Sequence, residues 1–134
     1  MIDKNYSDGL GKLTVRITVG SLMFFHGIAK IMHPESLEFI GNNLASIELP
    51  AALAYGVYIG EIIAPLMLII GYYARIGGLI VAVNMLFAVA LAHSGELLSL
   101  TQHGGWAIEL QAFYLLGGFS VALLGSGQFA IKPD

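Results

Sequence analysis

The chain has 134 residues, of which 57% are hydrophobic and 11% charged, with a formal net charge of -3. Soluble domains average about 45–50% apolar and about 25% charged residues, so this composition excludes an ordinary soluble domain and indicates one membrane domain over residues 1–134. The small charge and scattered basic residues exclude nucleic acid as a partner. The chain contains no Cys, which excludes thiol exchange and Fe–S or zinc-thiolate centres.

Residues 10–31 form an apolar run long enough to span a membrane as a helix, and the run ends before Pro34. It carries Arg16, His26 and Lys30, which fall within about 80° of one another on a helical wheel. An ionised side chain inside a bilayer costs roughly 3 kcal/mol, so this polar face is expected to turn towards partners on other helices. Because Arg16 and His26 are about 15 Å apart along the axis, the face predicts a polar stripe through the membrane.

The connection at residues 35–49 is mostly polar, but four apolar residues recur in it at helical spacing: Leu37, Ile40, Leu44 and Ile47. This pattern is typical of a short amphipathic helix that lies on the membrane surface. An ordinary connecting loop fits the sequence equally well, so both interpretations remain open.

The second predicted span covers residues 50–71 and opens with Pro50, which is favourable in the first turn of a helix. Glu61 is its only charged residue and lies near the middle of the span. Pro65 has no backbone N–H, so the Glu61 carbonyl loses its usual helical donor. The sequence therefore predicts a carboxyl group and an unpaired carbonyl together near the bilayer midplane.

The third predicted span, residues 76–93, follows a short turn that contains Arg75. Asn84 is the only polar residue at mid-depth and is interpreted as a structural hydrogen-bonding contact between helices. His93 ends the span on the opposite face, so a straight helix cannot aim both side chains at one point. His93 is therefore a candidate for a site near the membrane surface.

The fourth predicted span, residues 106–125, begins at Trp106. Glu109 and Gln111 project from opposite faces of this helix, and Glu109 is the one expected to join the polar stripe. Trp106 lies at a span end, where aromatic residues are typical of the membrane interface.

Apart from Lys30, the basic residues lie in the N-terminal region, the second connection and the C-terminal region: Lys4, Lys12, Arg16, Arg75 and Lys132. By the positive-inside rule both termini are expected to be cytoplasmic. Four spans with short connections then predict an all-α, up-down-up-down four-helix bundle. This topology brings several candidate site residues near the outer face, with Arg16 and Glu61 deeper: His26, Lys30, His93, Trp106 and Glu109.

Arg16 and Glu61 have similar predicted depths and are expected to form a buried ion pair. The pair is interpreted either as a structural lock between two helices or as part of proton or substrate handling. The sequence does not choose between these two roles.

His26 and Lys30 lie one helical turn apart and, together with Glu109 or His93, are expected to bind a polar head group. In the alternative interpretation, Lys30 reaches the interface and His26 is only an interhelical donor. His26 and His93 are also compatible with axial haem ligation, although four His in the chain make a chance match easy.

The stretch from Arg16 to Lys30 resembles the opening motif of the DoxX family of small four-span membrane proteins, with Gly20, Phe24, Phe25, His26 and Gly27 in between. The resemblance continues in order along nearly the whole chain. Its further elements are Gly60-Glu61, Leu68 to Gly71, Arg75, Asn84-Met85, His93, Gly104-Gly105, Glu109 and Gly125-Ser126-Gly127.

The name-giving members of the family are membrane subunits of an archaeal thiosulfate:quinone oxidoreductase, and others are associated with catechol, quinone or oxidative stress. The resemblance implies a subunit of a membrane oxidoreductase that binds a quinone or similar molecule in a prokaryotic cytoplasmic membrane, with electrons from a redox partner subunit. In this scheme His26 and Lys30 hold a carbonyl oxygen and protonate the reduced form, while Glu61 and Arg16 relay or balance charge. The candidate catalytic residues are then His26 and Glu61, and the candidate substrate-binding residues are Arg16, Lys30, His93, Trp106 and Glu109.

No intrinsic cofactor and no metal is expected, and a homo-oligomer is left open. Two other functions use the same residues. A small transporter or proton-coupled permease would use the polar stripe as a path. A non-catalytic membrane anchor or assembly subunit would need only the packing glycines and the Arg16–Glu61 lock.

Overall fold

The computed structural model describes residues 3–134, and within that range it contains helices and two isolated bridges but no β-strand. The α-helices are α1 (Lys4–Met32), α2 (Glu35–Ser46), α3 (Ala64–Ile70), α4 (Ala74–Ala92) and α5 (Glu109–Leu124). A 3₁₀-helix at Ala51–Gly56 and a π-helix at Ile59–Ile63 lead into α3, and a 3₁₀ turn at Ser94–Glu96 follows α4. The predicted all-α class is therefore confirmed.

Within residues 3–134, three helical stretches are long and apolar enough to cross a membrane, namely Lys4–Met32, Ala51–Ile70 and Ala74–Ala92. They correspond to the first three predicted spans. The fourth, α5, is apolar but has only 16 residues, or about 24 Å, against a hydrocarbon core of about 30 Å. It begins at Glu109 rather than at Trp106.

The stretch Ala51–Ile70 packs closely against α1, because α1 presents glycines to it. A Cβ added at Gly20 would lie 2.9 Å from the Pro65 carbonyl oxygen, and one at Gly27 would collide with the Glu61 carbonyl oxygen. These contacts align α1 antiparallel to the stretch from Ile59 to Ile70, with Gly27 opposite Glu61. Small residues of this kind let helix backbones approach each other closely within a membrane.

Helices α4 and α5 form the most extensive helix contact in the described residues. Gly78 and Gly118 face each other across it, and a Cβ at either glycine would strike the carbonyl oxygen of the other. The apolar core lies where α1, α3, α4 and α5 meet. Its buried members are Val19, Met23, Ala64, Leu68, Ala74, Val81, Met85, Tyr114 and Val121.

Residues 35–46 form a helix, so of the two interpretations left open for the first connection the helical one is adopted. This helix, α2, buries Gly41 and Leu44 and packs against the 3₁₀-helix at Ala51–Gly56. Phe39 remains exposed. Helix α2 therefore covers one end of the bundle with its apolar side turned inward.

The last ten residues, 125–134, fold across the opposite end and are called here the closing segment. The backbone N–H of Ile131 donates to the Ile70 carbonyl at 3.1 Å, and the backbone N–H of Lys132 donates to the Gly71 carbonyl at 3.0 Å. The rings of Phe129 and Tyr6 meet edge to face at 5.6 Å. The N-terminal part of α1, the turn between α3 and α4, and the closing segment therefore lie together at one end.

A small hairpin at residues 99–107 precedes α5, and leucines are exposed on its first half and immediately before it. Leu100 and Trp106 form an antiparallel bridge, and the Trp106 indole donates to the Leu97 carbonyl at 2.8 Å. Leu98 is 100% exposed. An exposed apolar segment beside a short apolar helix is suited to insertion into the lipid interface.

We expect this hairpin to lie in the interface. Because Trp106 is the only Trp, its fluorescence in proteoliposomes reports the position directly. Brominated lipids are expected to quench it strongly and aqueous iodide weakly. Moving the probe to the residue before the hairpin with Trp106→Phe and Leu98→Trp should preserve lipid quenching. Dominant quenching by iodide in both proteins would contradict the placement.

Candidate functional site

A cavity of about 890 Å³ lies between α1, α2, the stretch from Leu49 to Glu61, α4 and α5. Its volume falls within the range of about 300–1,000 Å³ typical of small-molecule sites. Most of its lining is apolar, and a limited set of polar side chains interrupts that lining. The polar residues on α2 are Glu35, Ser36 and Asn43, and those on the other elements are His26, Lys30, Glu61, Asn84, His93, Gln111 and Tyr114.

Glu61 is the centre of the polar wall of this cavity. Its side chain is buried, and both carboxylate oxygens have partners. Lys30 Nζ lies 2.6 Å from Oε1, and Asn84 Nδ2 donates to Oε2 at 3.0 Å. Lys30 thus balances the charge of Glu61, and Asn84 joins α4 to the same carboxylate. A buried carboxylate needs both kinds of partner to be tolerated.

The local sequence explains how Glu61 reaches this position. Pro65 supplies no backbone donor, and the chain adopts a π-helix over Ile59–Ile63 before α3 begins. Gly60 allows the approach of Asn84, because a Cβ there would lie 2.5 Å from the Asn84 Cγ. The π-helix and the glycine together bring the carboxylate against both α1 and α4.

His26 lines the same wall one helical turn from Lys30. Its ring meets the Tyr114 ring edge to face, with centroids 5.6 Å apart and an interplanar angle of 84°. Tyr114 is buried and lies on α5. The pair extends the polar wall from α1 across to α5.

The other polar group of the cavity involves α4 and α5. The Gln111 Nε2 lies 3.3 Å from His93 Nε2, and His93 Nδ1 lies 3.2 Å from Glu96 Oε2. Gln111 Oε1 is buried and has no hydrogen-bond partner within the described residues. Both nitrogens of His93 are therefore engaged by protein side chains, and one acceptor of Gln111 remains free.

The predicted Arg16–Glu61 ion pair is wrong. Arg16 is fully buried, but its Nη2 donates to the Phe129 carbonyl at 2.7 Å, and its guanidinium packs against Gly71. Because Gly27 lies opposite Glu61, Arg16 is eleven residues, or about 16 Å, further along α1 and cannot reach that carboxylate. Lys30 takes its place.

Two further predicted site residues, Trp106 and Glu109, do not line the cavity. Glu109 is exposed at the start of α5 and packs against Gly105, while Trp106 belongs to the hairpin. The face of α5 that turns inward carries Gln111 and Tyr114 instead. Of the predicted site residues, the cavity brings together His26, Lys30, Glu61, Asn84 and His93.

Sequence reasoning placed Gln111 on the face opposite Glu109 and did not count Gln111 or Tyr114 as site residues. The available signal was their spacing of three residues, which puts an amide and a phenol on one face of an apolar helix. The sequence left His26 and His93 open as haem ligands, and both line the cavity. Both ring nitrogens of His93 already have protein partners, so neither is available to bind iron in this arrangement.

Comparison with known proteins agrees with the motif. A family model described as DoxX matches residues 11–94. Over 130 residues the chain is 30% identical to a protein of Bacillus subtilis (strain 168) named "Putative oxidoreductase CatD", covering 96% of this chain and 90% of that protein. No solved structure gives a significant match.

Proposed function

The chain belongs to the DoxX family, as its motif predicted, and on that premise we propose that it is a membrane subunit of an oxidoreductase system that binds a quinone or similar small redox molecule in the cavity. One observation carries the proposal. A largely apolar cavity of ligand size holds a lysine, a histidine and a buried carboxylate on one wall. An apolar ring with polar oxygens is complementary to such a wall.

In this proposal Lys30 is the main contact for a ligand oxygen. One of its three N–H groups is directed to Glu61, so two remain for a carbonyl or phenolate oxygen. The ion pair with Glu61 fixes the position of Lys30. His26 exchanges a proton with the same oxygen as the ring is reduced or oxidised. Reduction of a quinone to a hydroquinone takes two electrons and two protons; a redox partner subunit supplies the electrons, His26 supplies one proton, and the second proton comes from solvent.

We also propose that α5 is a fourth span with the preceding hairpin in the lipid interface, giving a single up-down-up-down bundle with both termini cytoplasmic. The contacts of the closing segment with the first turns of α1 support this arrangement, since they bring both ends of the chain to one end of the bundle. The basic residues there favour the cytoplasmic side, in a prokaryotic cytoplasmic membrane.

Substitution of His26 tests the proposed function. His26→Ala is expected to lower quinone-dependent turnover in native membranes by about 100-fold or more, because proton transfer by a positioned side chain contributes about that much. The matched control is His103→Ala, which removes an exposed histidine outside the cavity and should leave turnover unchanged. Equal turnover in the two variants, at equal amounts of folded protein, would rule out the role of His26.

A further inference from the structure

One part of the cavity wall is both apolar and exposed. Leu53, Gly56 and Ile59 line the cavity from the stretch Ala51–Ile70, and Val83 and Phe87 line it from α4. The four side chains in this set are 42% to 58% exposed. Residues that line a cavity and are this exposed lie where the cavity opens. The five residues are called here the apolar rim.

The position of Phe87 on α4 shows which way the apolar rim faces. Gly78 marks the side of α4 that contacts α5, because it lies against Gly118. Phe87 is nine residues after Gly78, which is about 180° round the helix. The apolar rim therefore lies on the side of α4 that faces away from α5, at the outer surface of the bundle.

The backbones on the two sides of the apolar rim are separated. The 3₁₀-helix Ala51–Gly56 packs against α2 and the π-helix, and at most marginally against α4. A Cβ added at Gly56 would meet no described atom within 4 Å, whereas one at Gly60 would lie 2.5 Å from Asn84 Cγ. The second stretch and α4 thus touch at Gly60 and diverge towards Ala51, which leaves a gap between them.

The gap opens at the depth of the lipid chains. Val83 and Phe87 lie about 14 and 20 Å from the start of α4, whose 19 residues span about 28 Å. The hydrocarbon core is about 30 Å thick, so an opening at this depth faces acyl chains rather than water. The polar lining of the cavity lies elsewhere, around Lys30 and Glu61 and on α2.

We infer that the cavity takes a ring that carries a long hydrocarbon tail, with the ring at Lys30 and the tail passing between Gly56 and Val83 into the bilayer. This inference rests on the proposed function and names its substrate class, a membrane-dissolved, alkyl-tailed quinone rather than a water-soluble ring. An apolar gap alone would fit any lipid chain. Because this gap is continuous with the Lys30–Glu61 wall, its occupant needs a polar head as well as an apolar tail.

The first test compares decylubiquinone with 2,3-dimethoxy-5-methyl-1,4-benzoquinone, which has the same ring without the tail. Both are bound to the full chain in lipid nanodiscs, with concentrations expressed per lipid. Lipid is as apolar as the rim, so the tail adds little affinity, and the informative quantity is the effect of filling the gap. Gly56→Phe and Val83→Trp are expected to weaken decylubiquinone binding at least about tenfold, because the new side chain and the tail compete for one space. Binding of the tailless ring should change by less than about twofold.

Matched controls place the same side chains outside the gap. Leu79→Trp lies one turn before Val83 on α4, at an exposed position that does not line the cavity. Gly11→Phe lies on α1, where an added Cβ also meets no described atom within 4 Å. Both control variants should bind both ligands as the wild-type protein does.

Photolabelling of the wild-type protein tests the same path without any substitution. A decylubiquinone analogue with a diazirine in the middle of its tail is expected to label residues 53–59 and 83–87, as mapped by mass spectrometry. Labelling mainly on α2 or in the hairpin would overturn the inference, and so would equal effects of the two rim variants on both ligands. If both ligands then still lose binding in the double variant Lys30→Met and Glu61→Gln, the proposed function stands. If neither ligand binds the wild-type protein, both proposals fail.

Discussion

Replacing Lys30 with methionine is expected to lower the free energy of unfolding by roughly 3 kcal/mol, because it leaves a buried carboxylate without its counter-charge. Lys30 Nζ lies 2.6 Å from Glu61, whose side chain is only 4% exposed. Asn84 still donates one hydrogen bond, which does not neutralise the charge. The change is measured by titrating the purified protein in micelles with sodium dodecyl sulfate and following helix content.

Two controls separate the buried pair from a general effect of charge. Lys12→Met breaks an ion pair with Asp8 on the same helix, and its expected loss is below about 1 kcal/mol, because the Asp8 side chain is 60% exposed and water can replace the partner. The double variant Lys30→Met and Glu61→Gln should recover much of the stability, since a neutral amide still reaches Asn84. Ligand binding should stay lost in the double variant. A similar loss for the Lys12 and Lys30 variants would show that Glu61 does not depend on Lys30.

Gly27→Ala is expected to be the most damaging small substitution, with a loss of about 3 kcal/mol, the upper part of the range for overpacking. The added Cβ would collide with the Glu61 carbonyl oxygen and lie 2.6 Å from Ile62 Cγ1. The first of these is a backbone atom, so α1 and the π-helix must separate. The separation also moves Lys30 away from Glu61, so ligand affinity should fall together with stability.

The matched control is Gly11→Ala on the same helix, where an added Cβ meets nothing within 4 Å. Alanine favours a helix over glycine by up to about 1 kcal/mol, so this variant should be neutral or slightly more stable. Both variants are followed by detergent unfolding and by ligand binding in nanodiscs. Unchanged stability in Gly27→Ala would mean that α1 does not contact the π-helix at Glu61 and Ile62.

The sequence predicts much of this fold because composition and apolar run length are strong signals for membrane helices. It also predicts which ionisable groups need partners, and His26, Lys30, Glu61 and His93 do line one cavity. The sequence does not predict which ionisable side chains pair with each other. Axial register between two helices depends on where glycines let backbones approach, and Gly27 sets Glu61 opposite Lys30 instead of Arg16.

The error in the predicted inward face of α5 has a different cause. The wheel correctly separates Glu109 from Gln111, but α5 is apolar on nearly every side, so periodicity does not say which face turns inward. The close contact of Gly78 with Gly118 decides it and turns Tyr114 into the core. Charge alone favoured Glu109, although an exposed position at the helix start accommodates a carboxylate without any partner.

The π-helix at Ile59–Ile63 carries a consequence for comparing members of the family. A π-turn amounts to one residue inserted into an otherwise regular helix. A chain without that insertion would have every side chain before it turned by about 100° relative to Glu61. Homologous positions from Leu49 to Tyr58 therefore face the same way only among chains that share the insertion. When cavity-lining residues are transferred to a relative without it, the helical rotation of this segment must be corrected first.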